Sequence, residues 1–112
     1  FYYKIFKIIV YLLRMHIKIH DSYRKIVALA DSDLIGKKFE QGKKQIEIIP
    51  AFYQGEEKTK YEILEILKDM QKEDATFNIV GKESVQTALE VGIILKSGIS
   101  YIQDVPVALV LL

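Results

Sequence analysis

Two histidines four residues apart, His16 and His20, are the first side chains whose type and spacing could do chemistry. On a helix that spacing puts both rings on one face, where they can share a zinc ion. The run Met15-His16-Ile17-Lys18-Ile19-His20 instead alternates polar with apolar residues, the period of a half-buried strand. Four residues of strand cover roughly 13 Å, a gap that two ligands each about 2 Å from one ion cannot bridge. The pair therefore reads as an exposed strand face beside Lys18, and His20 next to Asp21 is the one pairing placed for acid or base work. The chain has no cysteine, which removes thiolate zinc sites, disulfides and thiol nucleophiles together. No catalytic set, metal site or cofactor is assigned.

Two further constellations involve loops. Asp31, Asp33 and Gly36 match the first, third and sixth positions of a calcium loop, but Ile35 stands at the fifth and Gly42 at the twelfth, where ligands are needed. Asp31 or Ser32 is better read as the cap of a short helical turn carrying Leu34 and Ile35 and ending at Gly36. Gly81-Lys82-Glu83-Ser84 lies between a strand and a helix, where free N–H groups and the helix dipole favour an anion. Gly81, Lys82 and Ser84 are thus the candidate anion-binding residues. A phosphate loop would need glycine where Thr76 stands and a hydroxyl where Glu83 stands, so an ordinary turn and cap is the simpler reading.

The third constellation is basic. Lys37, Lys38, Lys43 and Lys44 surround Phe39 with Glu40 as the only acid between them, and Arg24 and Lys25 occupy an earlier turn. Lysines so grouped can contact phosphates, with Phe39 or Tyr53 available for stacking on bases. These residues are the candidate nucleic-acid contacts. The chain as a whole is not a basic coat: Lys4, Lys7 and Arg14 precede Met15 and no acid does, so from Met15 onward 13 basic residues face 15 acidic ones.

The elements that must position these groups follow from periodicity. Residues 16–20 and 26–30 form an opening hairpin; 45–49 alternates until Pro50; 76–80 and 99–102 are rich in β-branched and aromatic residues; 107–112 has no polar side chain and reads as a strand covered on one face and partly on the other. Residues 37–44 read as an exposed connection. Ile63, Ile66, Leu67 and Met70 at i, i+3, i+4 and i+7 predict a helix over 57–72, and Val85, Ala88, Leu89 and Gly92 mark a second after Gly81. The expected fold is a two-layer α+β domain over 15–112: a mixed sheet of about six short strands covered by two amphipathic helices. Such a layout leaves one sheet face open, which predicts a homodimer or a docked partner there.

Residues 1–14 stand apart. Phe1 to Leu13 is too short and too interrupted by Lys4 and Lys7 to span a membrane. Its composition reads as upstream sequence translated ahead of a start at Met15, with a basic amphipathic helix as the alternative. From residue 15 onward no membrane contact is expected.

The strings HDSYRKIVALADSDLIGKKFEQG, DATFNIVGKESVQTALEVGII and VPVALVLL resemble the archaeal DUF424 family of small uncharacterised proteins, over almost the whole chain after Met15. The resemblance implies a compact α+β domain in an archaeal cytoplasm and an association with translation, and carries no reaction, cofactor or catalytic set. The resulting expectation is an accessory protein, more binder than enzyme, that contacts RNA or a ribosomal particle through its loop lysines. The alternatives are a small phosphate-ligand binder or enzyme at the Gly81-Lys82 turn, and a structural subunit of an oligomer.

Overall fold

The computed structural model describes residues 14–111, so the two readings of the N-terminal segment fall, Arg14 apart, outside the described residues. Alternating residues build the first hairpin. Strand β1 (Met15–His20) pairs antiparallel with β2 (Ile26–Asp31), Met15 opposite Asp31 and His20 opposite Ile26. Because side chains alternate faces, Met15, Ile17 and Ile19 share one side with Val27 and Leu29, while His16, Lys18 and His20 share the other with Ala28 and Ala30. The four residues Val27 to Ala30 are fully buried, which requires cover on both faces of β2.

Two hairpin strands follow, β3 (Lys38–Gln41) and β4 (Lys44–Glu47), then the one-turn helix α1 (Pro50–Tyr53) and the short strand β5 (Glu56–Lys58). Helix α2 (Lys60–Lys72) leads to β6 (Thr76–Val80), helix α3 (Lys82–Val91), β7 (Ser100–Ile102) and β8 (Val105–Val110). The main sheet is six-stranded and mixed, in the order β5-β1-β2-β6-β8-β7, with β2 and β6 its one parallel pair. Strand β8 lies between β6 and β7, as its apolar run requires, with Ala108 buried and Leu109 exposed.

On one face α2 and α3 bury Ile63, Leu67, Met70, Val85 and Ala88 against Met15, Ile17, Leu29, Phe77 and Ile79. Glu62 fixes the start of α2, its carboxylate accepting from the Thr59 amide at 3.2 Å and the Thr59 hydroxyl at 2.9 Å. Gly92, expected in the buried stripe of α3, is instead exposed and ends the helix, its φ of 87° being the left-handed conformation of a helix C-cap.

The second face departs from the sequence-based expectation. Residues 44–47 do not join the main sheet but pair with 38–41, part of the stretch read as an exposed connection, in a separate two-stranded ribbon. Phe39 and Ile46 face each other across the ribbon and pack with Ile48 and Tyr53 onto Ala28, Ala30 and Val80. The methyl side chains of Ala28 and Ala30 are what let this layer approach the sheet. The face on which the homodimer expectation rested is therefore covered by the chain itself over this area. Residues 57 and 58 were expected at the start of a helix. With Glu56 they instead pair with β1, because the chain must run extended along the sheet edge before α2 can begin after its cap at Thr59.

Ile48 is fully buried at the centre of this second core. Ile48→Ala should cost about 2–5 kcal/mol in urea unfolding, the range for a buried aliphatic truncated to alanine. A loss under about 1 kcal/mol would mean that the ribbon layer is not packed as described.

Candidate functional site

The titratable residues that could do chemistry are tied into the fold. Asp31 ends β2 on the helix side of the sheet and is buried. Its Oδ2 accepts the Glu83 amide at 3.1 Å; its Oδ1 accepts the Ser84 amide at 2.8 Å and the Ser84 hydroxyl at 2.7 Å. The carboxylate thus caps α3 from a strand more than fifty residues away, satisfying N–H groups that a helix start leaves free. It does not cap the turn at Ser32–Leu34, as its sequence position predicts, and that turn has no side-chain cap. Gly81 makes the approach possible. Its φ is 111°, and a Cβ there would lie 2.3 Å from Asp31 Cγ.

The anion site proposed for Gly81, Lys82 and Ser84 is therefore filled by the chain's own anion. Ser84 is fully buried, Gly81 is buried, and only Lys82 of the three reaches solvent. A phosphate would have to displace Asp31 to reach the same donors.

The histidines are not an exposed pair. All three polar residues of β1 reach the segment that crosses the second face. Lys18 Nζ donates to the Ala51 carbonyl at 2.8 Å, and His20 Nε2 lies 2.8 Å from the Phe52 carbonyl, so that nitrogen carries the proton. The His20 ring also stacks on Phe52, with centroids 4.6 Å apart. His16 Nδ1 lies 3.2 Å from the Gly55 carbonyl and its Nε2 3.3 Å from Glu57, which Arg14 approaches at 3.6 Å. A one-turn helix cannot satisfy its own last carbonyls, and here basic side chains do so. Among the described residues no group of three or more histidines and acids is placed to hold a metal ion.

The basic residues divide between the two ends of the sheet. Arg24 and Lys25, in the β1–β2 turn, face the end of α2. Lys25 pairs with Glu73 at 3.0 Å, which holds its amine above the usual lysine range, and Arg24 donates to the Asp74 carbonyl at 3.4 Å. They line an open depression with Asp21 and Tyr23. The ribbon sits over the opposite end, where Gln41 Oε1 accepts the Gln103 amide of the β7–β8 turn at 2.7 Å. Gly81 is at that end too, its amide donating to Pro106 at 2.9 Å. Roughly 17 Å of strand β2 separates the two basic groups, so they do not converge.

On the ribbon, Lys38 is paired with Glu40 at 3.1 Å and stands opposite Glu47. Lys37 at the base, Lys43 in the tip turn and Lys44 beside it are exposed, and none of them makes an ion pair among the described residues. Phe39 and Tyr53, expected to be available for stacking, are turned into the second core. The residues that sequence reasoning missed are Asp31 as the cap of α3 and the β1 clamp. The signals present were an acid closing an apolar strand and a Gly-Lys-Glu-Ser start of a helix, but their pairing depends on the parallel β2–β6 register.

Asp31→Ala would strand the Glu83 and Ser84 donors in a buried place and should cost about 2–4 kcal/mol in chemical denaturation. Burial raises the Asp31 pKa above its ordinary value of 3.8, against the opposing pull of the Ser84 and Glu83 donors. An acid with a raised folded pKa holds its proton more tightly when folded, so its contribution is full below the unfolded value and is lost as the pH rises through the folded one. The urea midpoint of the wild type should therefore fall relative to that of Asp31→Asn between acid and neutral pH. A relative gain by the wild type would contradict the assignment.

Among solved structures, the fold is similar to the crystal structure of an uncharacterized conserved protein from Methanopyrus kandleri, with a TM-score of 0.77 and 20% sequence identity over 86% of this chain and 89% of that one. At that identity the likeness concerns the fold alone. No curated protein matches the chain. A family model described as protein of unknown function (DUF424) matches residues 19–112, a span that holds Asp31, the ribbon, both long helices and the closing strand. The chain belongs to that family.

Proposed function

We propose that this protein is an RNA- or ribonucleoprotein-associated accessory factor of the cytoplasmic translation apparatus, and that it acts by binding through the β3–β4 ribbon. The observation that carries the reading is the state of the ribbon lysines. Lys37, Lys43 and Lys44 are exposed and make no ion pair among the described residues, on a ribbon whose apolar side is fixed to the sheet. Free cations on a rigid support gain most from meeting phosphates, because little side-chain or backbone ordering remains to be done. The engagement of His16, His20, Asp31 and Ser84 within the fold favours binding over catalysis. The link to translation comes from the family resemblance alone.

The full chain added to an archaeal lysate should co-sediment with ribosomal particles on a density gradient at low salt. With three lysines neutralising phosphates, its affinity should fall about sixfold for each doubling of salt. Combined Lys37→Glu, Lys43→Glu and Lys44→Glu should abolish co-sedimentation, while Arg24→Glu, at the other end of the sheet, should leave most of it. Free migration of the wild type at low salt would sink the reading.

A further inference from the structure

We infer that the nucleic acid taken by the ribbon is a duplex held by its phosphate backbone, and not an unstacked single strand. The inference rests on the binding reading above and specifies its ligand. Proteins that hold single strands combine cations with aromatic faces, because the strand must be ordered on binding and base stacking offsets that cost. This ribbon offers the cations without the faces. Phe39 packs into the second core and Tyr53 is 6% exposed. The most exposed aromatic residues among those described, Tyr23, Tyr61 and Tyr101, lie elsewhere, while Phe39 and Phe52 are half-buried against the second core. Tyr23 is in the distant β1–β2 turn and Tyr61 in the first turn of α2. Tyr101 is opposite Pro106, so its side chain leaves the sheet on the face away from the ribbon.

The placement of the cations points the same way. Lys37 lies at the base of the ribbon, and Lys43 and Lys44 at its tip, four residues or roughly 13 Å along β3. The Gln41 contact to Gln103 and the Phe39–Ile46 packing fix both ends. Cations held at fixed separation suit phosphates that are themselves held at fixed positions, which a helix supplies and a flexible strand does not. A duplex also carries the denser charge, so each neutralised phosphate releases more counterion than on a single strand. Lysines meeting phosphates recognise by backbone and shape, the usual mode for double-stranded RNA.

The test is fluorescence anisotropy of the full chain with a labelled mixed-sequence RNA duplex of about 16 bp and with one of its strands alone, at several salt concentrations. The expected result is duplex binding at least about tenfold tighter, with a log–log salt slope near −2.7 for three phosphates. Duplex affinity should be lost with the three Lys→Glu changes, weakened by the milder Lys→Gln set, and unaffected by Tyr101→Ala. Circular dichroism establishes that each variant is folded. Single-strand binding that is equal or tighter, and still abolished by the lysine changes, overturns the duplex inference and leaves the ribbon reading standing. Binding to neither RNA at low salt, or binding that ignores the lysine changes, overturns both.

Discussion

The contact on which the rest of the structure depends is the Asp31 carboxylate seated on the first amides of α3. A parallel strand pair cannot be closed by a tight turn, and β2 and β6 are joined only through the long excursion of residues 32–75. Asp31 and Gly81 follow each other's register at the ends of those two strands, and the carboxylate locks the end of one to the helix that leaves the other. Burial opposes the charge while the helix start favours it, and three donors hold it in place. The glycine at 81 is required because any side chain would occupy the space of the carboxylate.

That lock frees the opposite face of the sheet to receive a layer of its own. Alanine at 28 and 30 gives the depth, Ile48 and Tyr53 fill it, and the polar side of β1 holds the returning chain by its carbonyls. Polar residues on a strand usually mark a solvent face. Here the chain uses them as a clamp, and the cost of half-burying them is offset by the hydrogen bonds they make. The consequence for function is spatial: the loop that carries Lys37, Lys38, Lys43 and Lys44 becomes a supported ribbon with its aromatic side inward.

The sequence was most legible where a pattern is local. The α2 stripe, the β1–β2 hairpin and the apolar closing strand could all be read from residues adjacent in the chain, and together they define an α+β fold. What could not be read was pairing at a distance. Strand β4 alternates like any sheet strand, and nothing in Gln45 to Ile49 distinguishes the main sheet from a ribbon with β3. Asp31 precedes a serine and a short turn, so local capping was the natural inference, yet its partners are Glu83 and Ser84. His16 and His20 were correctly placed on a strand, but their carbonyl partners belong to a segment about thirty to forty residues later. The lysines were found by composition; that Lys38 is paired and that Phe39 is turned inward are facts of register.

The site that looked most like phosphate chemistry is thus structural, and the stretch that looked like solvated loop carries lysines without ion partners among the described residues on a fixed frame. The most direct measurement of this division is the change in backbone amide chemical shifts as RNA duplex is added to the full chain. The account predicts shifts confined to residues 37–44 and the adjoining Gln103 turn, with Gly81, Glu83 and Ser84 unmoved because Asp31 already occupies their donors. Shifts centred on Gly81 to Ser84, with the ribbon silent, would contradict it.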